Sequence, residues 1–367
     1  LSGDSTFITN VGSGMGGGGC DLLYPDGIEG TAITAQFTSV NPYIVPSGKR
    51  LYVLVSNNDI VIDGLTFGGI PQGKPFILNS GQALSTVSTS SFHFNGFLVD
   101  EKTEVTAVTT QFTSVNPYIV PSGKRLYVLV SNNDIVIDGL TFGGIPQGKP
   151  FILNSGQALS TVSTSSFHFN GYLVDENYFE GCGGGGSSST SSLDSTTIAN
   201  MIAGSGGGCD YQYPDGLNGE PIIVDLMQSD YTVPSGKNFY IQTPYVQGNA
   251  CKILVNGMEV FVVQSTTLLD NDPFVVKSGD IISHQPTSSY THATLSGLLI
   301  NASVDPIHVD LIQGDYTVPS GKNFYIQTPY VQGNACKILV NGMEVFDAQS
   351  TTVLGNGVYI VKSGDII

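Results

Sequence analysis

The sequence has no tryptophan and few charged residues, and those few are mostly acidic. Lysine and arginine together number 13, against 30 aspartates and glutamates, which gives a formal net charge of −17. Nucleic-acid binding needs clustered lysine and arginine to neutralise phosphates, so nucleic acid is not expected as a partner. No apolar run approaches the roughly 20 residues of a membrane-spanning helix, so no membrane span is expected.

Residues that usually carry catalysis are scarce. The five histidines show no zinc-ligand spacing, no serine lies in a GxSxG motif, and the glycine runs at Gly16 and Gly183 lack a GK[ST] ending. His93 and His168 occupy the same position of a repeat and are expected on a solvated strand face. The sequence therefore predicts a protein that is not an enzyme.

Turn-forming residues and internal copies are abundant. The chain contains 46 glycines and 18 prolines, a mixture typical of short strands joined by many turns. Residues 36–96 recur unchanged at 111–171, and residues 224–261 recur at 309–346 with two differences. All four copies carry the string VPSGK followed by an apolar run, so four versions of one module are predicted.

A short leader precedes each pair of modules. The string DSTFITN from Asp4 is followed by a glycine run, a cysteine and YPDG, and the related string DSTTIAN from Asp194 is followed by the same features in the same order. A tract rich in glycine and serine before the second leader is expected to be a flexible joint. The predicted organisation is a leader over 1–29, module 1 over 30–104, module 2 over 105–181, linker and second leader over 182–219, module 3 over 220–303 and module 4 over 304–367.

Within one module, the pattern predicts short antiparallel strands. RLYVLV from Arg50 is typical of a buried strand, and the Asp63-Gly64 and Asn256-Gly257 dipeptides predict tight type I′ hairpins. Alternation puts Phe92 and Phe94 on one strand face and His93 on the other. The predicted fold class is all-β, with tandem small antiparallel β-sandwich modules of jelly-roll or immunoglobulin-like kind.

Module 4 stops at VKSGDII, whereas module 3 continues from the same string to a closing strand at LSGLLI. We therefore expect that module 4 either belongs to a longer protein or accepts a closing strand from a neighbour.

Acidic residues near turns are candidate calcium ligands. Calcium takes six to eight oxygens, which sandwich loops often supply. No EF-hand loop is present, and turn-forming aspartate is the alternative role. No other cofactor is expected. The candidates are Asp59, Asp63, their copies Asp134 and Asp138, and Asp270 with Asp272; the leader pairs Asp21 with Asp26 and Asp210 with Asp215 have similar spacing.

The five cysteines leave at least one unpaired within the chain. Cys251 and Cys336 are copies in an apolar strand and are predicted to be buried. Cys20, Cys182 and Cys209 border glycine-rich tracts and are disulfide candidates. Cys20 with Cys182 would close the first half, and Cys209 could pair with a neighbouring chain.

Three positions are glycosylation candidates. Asn301 begins an Asn-Ala-Ser triplet. Ser5 and Ser195 lie in Asp-Ser-Thr strings that are similar to the sites of bacterial O-glycosylation.

The leader, the glycine-flanked cysteine, YPDG, YTVPSGKNFYI and the closing strand together resemble secreted, repeat-containing surface proteins of marine Bacteroidetes. The resemblance covers nearly the whole chain, and its motifs are structural. It implies an extracellular or cell-surface location, and it carries over no catalytic residue.

These features predict a structural subunit of an extracellular filament or adhesive surface fibre, with itself as the main partner. Identical surfaces repeated along a chain favour head-to-tail contacts. The segment containing Phe7, Ile8 and Val11 is the candidate donor strand for a neighbouring subunit. One alternative is a carbohydrate-binding or adhesin module array with surface glycans as partners. Another is a phage or virus fibre or capsid-like protein.

Overall fold

A computed structural model describes most of the chain as β-strands and turns. No helix occurs in the described residues, and the predicted all-β class is confirmed. Within the same ranges, no segment forms an apolar helix long enough to cross a membrane. The described residues are 21–56, 59–68, 74–132, 134–142, 149–180, 182, 213–248, 250–263, 273–286, 290–311, 313–322, 324–326, 336–348 and 359–367.

Module 1 consists of eight strands: β1 (Thr31–Phe37), β2 (Tyr43–Ile44), β3 (Lys49–Ser56), β4 (Ile60–Ile62), β5 (Leu65–Phe67), β6 (Phe76–Leu78), β7 (Ala83–Ser85) and β8 (Phe92–Asp100). They form two antiparallel sheets with the orders β1-β8-β3-β6 and β2-β7-β4-β5. This is the strand order of an eight-stranded jelly roll. The sequence had left the immunoglobulin-like alternative open, and the strand order decides against it.

Modules 2 and 3 repeat this topology. Their first sheets have the orders β9-β16-β11-β14 and β17-β24-β19-β22, and their second sheets β10-β15-β12-β13 and β18-β23-β20-β21. The strands are β9 (Thr106–Phe112), β10 (Tyr118–Ile119), β11 (Lys124–Ser131), β12 (Ile135–Ile137), β13 (Leu140–Phe142), β14 (Phe151–Leu153), β15 (Ala158–Ser160), β16 (Phe167–Asp175), β17 (Gly219–Asp225), β18 (Tyr231–Thr232), β19 (Lys237–Gly248), β20 (Cys251–Val255), β21 (Met258–Val263), β22 (Phe274–Val276), β23 (Ile281–Pro286) and β24 (Tyr290–Asn301).

The described part of module 4 contains β25 (Phe324–Ile326), β26 (Cys336–Val340), β27 (Met343–Ala348) and β28 (Tyr359–Val361). β25 pairs with β28 and β26 with β27, as the corresponding strands of module 3 do. Val318, Ile326, Val340 and Val361 form its small apolar core.

The predicted hairpins are confirmed. Asp63 and Gly64 both have positive φ, at 50° and 85°, and Asn256 and Gly257 have 50° and 81°. Two successive positive φ values define the type I′ turn, whose twist matches the flanking strands. The predicted alternation also holds, because Phe94 is buried while His93 is exposed.

A close approach between strands explains the glycine in each module's last strand. A Cβ added to Gly96 would lie 2.1 Å from the Tyr52 carbonyl oxygen, and Gly171 and Gly297 have the same constraint. The strand pairing shifts register just beyond this point, between Val53 and Val55. The glycine of the closing FNGFLV, FNGYLV and LSGLLI strings is therefore required by packing.

Candidate functional site

Each leader ends in a Tyr-Pro-Asp-Gly turn, here called the acidic turn, which packs on the module that follows it. In the first acidic turn the amide of Gly27 donates to the Tyr24 carbonyl at 2.8 Å, and in the second Gly216 donates to Tyr213 at 2.8 Å. Gly27 and Gly216 have φ of 95° and 93°, which favours glycine. The turns hold their aspartates against the third strand of the module.

The carboxylate of Asp26, in the first acidic turn, is buried against a cation. Its Oδ2 lies 2.7 Å from Arg50 Nε and accepts a hydrogen bond from the Tyr52 hydroxyl at 2.6 Å. Both side chains of the ion pair are fully buried. Burial, and then the charge of Asp26, raise the pKa of Tyr52 well above its ordinary value, so this hydroxyl stays a donor. Each charge would be costly alone, so the pair holds the leader on module 1.

Arg50 also reaches the start of module 2. Its Nη2 donates to the carbonyl oxygens of Val105 at 2.6 Å and Lys102 at 3.1 Å, and its Nη1 donates to Asn79 Oδ1. The amide of Lys102 donates to Asp26 Oδ1 at 3.2 Å. One guanidinium therefore joins the leader, module 1 and the chain that enters module 2.

The second acidic turn uses neutral partners. Asp215 Oδ2 accepts hydrogen bonds from Tyr240 Oη at 2.6 Å and Asn238 Nδ2 at 2.7 Å. Its Oδ1 accepts from the Ser303 amide and hydroxyl, at 2.5 and 2.8 Å, and from the Val304 amide at 2.8 Å. Asn238 stands at the position of Arg50, so module 3 holds its acidic turn through hydrogen bonds alone.

The contact between modules 1 and 2, here the first junction, caps an edge strand. β6 lies at the edge of its sheet. Asn170 of β16 accepts from the Ile77 amide at 2.9 Å and donates to the Ile77 carbonyl at 2.8 Å. Unpaired edge groups invite pairing with other chains, and this side-chain amide closes them. Asn95, the copy of Asn170 in module 1, is exposed.

Asn79 and its copy Asn154 make a second type of side-chain amide contact between modules. Asn79 makes it in the first junction, and Asn154 makes it between modules 2 and 3, here called the second junction. In the first junction Asn79 exchanges two hydrogen bonds with Ala107, donating to its carbonyl at 2.8 Å and accepting from its amide at 2.9 Å. Its copy Asn154 donates to the Pro221 carbonyl at 2.9 Å. Proline has no amide hydrogen, so the second bond is missing there.

A copied phenylalanine makes a ring contact in each junction, with a partner from a different strand of the following module. Phe67 lies 6.1 Å from the His168 ring, and its copy Phe142 lies 6.2 Å from the Tyr245 ring, measured between ring centroids. His168 is half-buried, and burial lowers its pKa. The expectation of a solvated face therefore holds for His93 and fails for its copy, because module 1 covers His168.

The first leader also touches module 2 directly. The Tyr172 hydroxyl donates to the Leu22 carbonyl at 2.6 Å, and the Tyr178 hydroxyl donates to the Pro25 carbonyl at 2.8 Å. Tyr172 replaces Phe97 of module 1, the first difference after the identical block. This single hydroxyl is therefore used for a contact that module 1 does not make.

Two buried lysines were not anticipated from the sequence. Lys74 is 3% exposed, and its Nζ has no hydrogen-bond partner in the part of the chain that the structure describes. Burial lowers the pKa of Lys74 well below its usual range. Its copy Lys149 lies 5.2 Å from the centre of the Tyr213 ring, a cation–π distance. A lysine in a Pro-Gln-Gly-Lys string suggests a solvated loop, so only the structure reveals their burial.

The segment that enters module 4 carries a half-buried histidine. The His308 ring stacks on Phe274 of β22, with centroids 4.9 Å apart and planes 8° apart. Its Nε2 is buried and has no hydrogen-bond partner among the described residues. Burial lowers the pKa of His308, opposed by Asp280 and reinforced by Lys277. The corresponding residue of module 3 is Ile223, which packs against the core of module 2.

The candidate calcium ligands in the hairpins have protein partners. Asp63 Oδ2 accepts from Gln82 Nε2 at 2.6 Å, and Asp138 repeats the contact with Gln157 at 2.7 Å. No group of three or more histidine, cysteine or acidic side chains is arranged for a metal in the described ranges. Calcium remains a prediction. Asp59 and Asp134 precede β4 and β12, whereas Asp270, Asp272 and Asp210 lie outside the described residues.

The cysteines separate into two kinds. Cys182 is disulfide-bonded. Cys20 and Cys209 lie outside the described residues, so its predicted pairing with Cys20 stays a prediction. Cys251 is free and fully buried, as predicted, and burial raises the pKa of its thiol to about 11.

Of the remaining candidates, only Asn301 is described. It is exposed at the end of β24, and the hydroxyl of Ser303 in the same triplet is bonded to Asp215. The candidate donor strand with Phe7, Ile8 and Val11, and the candidate serines Ser5 and Ser195, lie outside the described residues.

Comparison with known proteins adds no relative. The chain matches no protein-family model, and no curated protein matches it.

Replacing Asn170 by alanine should open the first junction. Loss of the side-chain amide leaves the Ile77 amide and carbonyl buried without partners, at a cost of about 3 kcal/mol. Hydrogen exchange of the Ile77 amide, followed by NMR, should accelerate by about 100-fold. The matched Asn95→Ala change at the exposed copy should leave exchange throughout module 1 within about twofold; equal effects of both changes would contradict the edge-capping role.

The two acidic turns should differ in their sensitivity to loss of charge. Asp26→Asn leaves the buried Arg50 without a countercharge and should destabilise β3 by about 3–5 kcal/mol. Asp215→Asn replaces one acceptor oxygen by an amide donor but leaves no buried cation without a countercharge, so it should cost about 1–2 kcal/mol in β19. Amide exchange in β3 and β19 measures each module separately. Similar losses at both sites would show that the Asp26–Arg50 ion pair adds nothing.

Acidification should weaken the stacking of His308 on Phe274. Because the folded-state pKa lies below the ordinary 6.5, the stabilising effect is present above pH 6.5 and is lost as pH falls through the folded-state value. Limited proteolysis near His308 should accelerate at low pH. His308→Ile, the residue that module 3 uses, should remove the acceleration; retention of it would assign the effect to another group.

Proposed function

We propose that the chain is a structural subunit of an extracellular filament or adhesive surface fibre whose modules stack head to tail. The observation that supports it best is the equivalence of the two junctions. Asn79 contacts Ala107 where Asn154 contacts Pro221, and these partners hold the same register in β9 and β17. A contact between two different surfaces that repeats without closing builds open-ended assemblies.

Module 1 exposes the surface that modules 2 and 3 use to contact the module before them. Ala32 and Asn95 are exposed, whereas their counterparts Ala107 and Asn170 are buried in the first junction. In our proposal the Asn95 face receives the edge strand of a preceding module from another copy of the chain. The bonds it would make are those that Asn170 makes to Ile77.

Charge and redox chemistry support a location outside the cell or on its surface. The disulfide at Cys182 is typical of oxidising compartments. A formal net charge of −17 keeps separate copies apart in dilute salt, and divalent cations such as calcium would reduce that repulsion. In this proposal the chain has no catalytic role.

Strand donation would add a second mode of joining. In it the segment with Phe7, Ile8 and Val11 adds a strand to a sandwich of the next subunit. Deletion of residues 1–12 tests this mode separately, because the Asn95 face would remain intact.

Electron microscopy of the purified protein tests the proposal. Wild-type protein is expected to form regular filaments, and Asn95→Ala should shorten or abolish them without loss of fold. Asn116→Ala, an exposed asparagine in the loop between β9 and β10 with a copy, Asn41, in module 1, provides a control for amide loss outside the junction strands. Chelator and reductant arms report the contribution of calcium and of disulfides. Dispersed single particles under every condition would overturn the filament proposal.

The jelly-roll topology favours a second candidate, a glycan-binding array. Lectin domains use the same topology, although topology alone does not determine function. Linked weak sites would gain avidity from effective concentration. Binding of the full chain to a glycan array, lost at low valency, would favour this candidate over a purely structural role.

A further inference from the structure

The identical blocks 36–96 and 111–171 place the same side chains in two different surroundings. Arg50 and Tyr52 of module 1 correspond to Arg125 and Tyr127 of module 2. Any difference between the two pairs therefore comes from chain outside the copied block. The Arg50–Tyr52 pair can therefore be compared directly with the Arg125–Tyr127 pair.

In module 1 the arginine and the tyrosine share a carboxylate. Asp26 Oδ2 lies 2.7 Å from Arg50 Nε and 2.6 Å from Tyr52 Oη. The carboxyl of Glu101 lies 3.5 Å from Arg50 Nη2. The buried guanidinium is thus fully compensated, as a buried cation requires.

In module 2 the arginine and the tyrosine are also buried, and no acidic side chain partners them in the part of the chain that the structure describes. Arg125 is 8% exposed and Tyr127 is fully buried. Among the residues that the structure describes, neither Arg125 Nε nor Tyr127 Oη makes a hydrogen bond of normal geometry, and the two side chains lie beside each other, so that Arg125 favours the ionised form of Tyr127. No described carboxylate lies within ion-pair distance of Arg125, and Glu176, at the position of Glu101, is exposed. Asp215 of the other acidic turn is bonded to module 3.

A ring without a carboxylate covers this site. Phe179 lies 5.4 Å from the Tyr127 ring, the same centroid distance as Tyr24 to Tyr52. Phe179 thus takes the place of the tyrosine of an acidic turn, and no carboxylate of the described ranges takes the place of its aspartate. Burial raises the pKa of Tyr127 to about 12, so its hydroxyl remains a hydrogen-bond donor at neutral pH.

We propose that Arg125 and Tyr127 form a binding site for a carboxylate group. The carboxylate would form an ion pair with Arg125 and accept a hydrogen bond from Tyr127 Oη, as Asp26 does with Arg50 and Tyr52. A planar guanidinium beside a hydroxyl donor suits a carboxylate better than a spherical halide. The group is carried either by a small free carboxylate or by an acidic turn of another chain.

NMR of the arginine Nε–Hε resonances tests the site in the full chain. Titration with sodium acetate should shift the Arg125 Hε signal downfield and saturably, while the Arg50 signal, already bonded to Asp26, stays fixed. Sodium chloride at equal ionic strength should give no saturable shift. Arg125→Lys assigns the signal. Equal, non-saturating drifts of both signals, or no shift of Arg125, would overturn the proposal.

Two peptides distinguish the sources of the carboxylate. A peptide LLYPDGIE that shifts the Arg125 signal at lower concentration than acetate, when LLYPNGIE does not, identifies an acidic turn as the ligand. An acetate response without a peptide response identifies a free carboxylate. Arg125→Met removes the charge and should abolish any acetate-induced rise in melting temperature. Persistence of that rise in the variant would place the effect elsewhere. Filament formation is not needed for any of these measurements.

Discussion

The buried contact between Asp26 and Arg50 is the interaction on which the first half of the molecule depends. A buried carboxylate and a buried guanidinium stabilise the fold only as a pair, because the free-energy cost of burying either charge alone exceeds that of most local rearrangements. Arg50 lies within module 1 and Asp26 within the leader, and Arg50 Nη2 donates to two carbonyls of the chain entering module 2. Three segments far apart in sequence are thereby fixed by one side chain. The second half meets the same requirement with uncharged Asn238, which shows that the position of the aspartate, and not the ion pair, is common to both halves.

The sequence predicts the turns and individual strands correctly, but it does not predict the strand order or the contacts between modules. Asp63-Gly64 and Asn256-Gly257 predict their turns because only a few residue types tolerate positive φ there, and the buried strand from Arg50 follows from its apolar run. Jelly-roll and immunoglobulin-like sandwiches share those local patterns, so strand order required the structure. The junctions show the limit most clearly. Asn95 and Asn170 lie in identical sequence, yet one is exposed and the other caps an edge strand, because their neighbours differ.

The junctions also show how a string of sandwiches protects its sheet edges. β6 would present free backbone groups at the edge of its sheet, and the Asn170 amide satisfies them without adding a strand. At the equivalent register of module 3 the residue is Ser296, and Pro221 removes the amide that Ala107 offers. Where the chain enters module 4, His308 stands at the position of Ile223 and stacks on Phe274. The successive contacts therefore share a geometry but differ in polarity and in sensitivity to pH.

The identity of the 36–96 and 111–171 blocks has a consequence for how the chain reaches its native state. A strand of one block fits the other block equally well, so a domain-swapped pairing would bury the same core and lose nothing inside either sandwich. Only contacts made by residues outside the copies, or between the copies, distinguish the correct arrangement. Asp26, Leu22 and Tyr172 are such residues, since each joins the leader to one particular block. These contacts, together with the packing of Leu22 and Tyr24 on the modules, therefore distinguish the native fold from its swapped isomers.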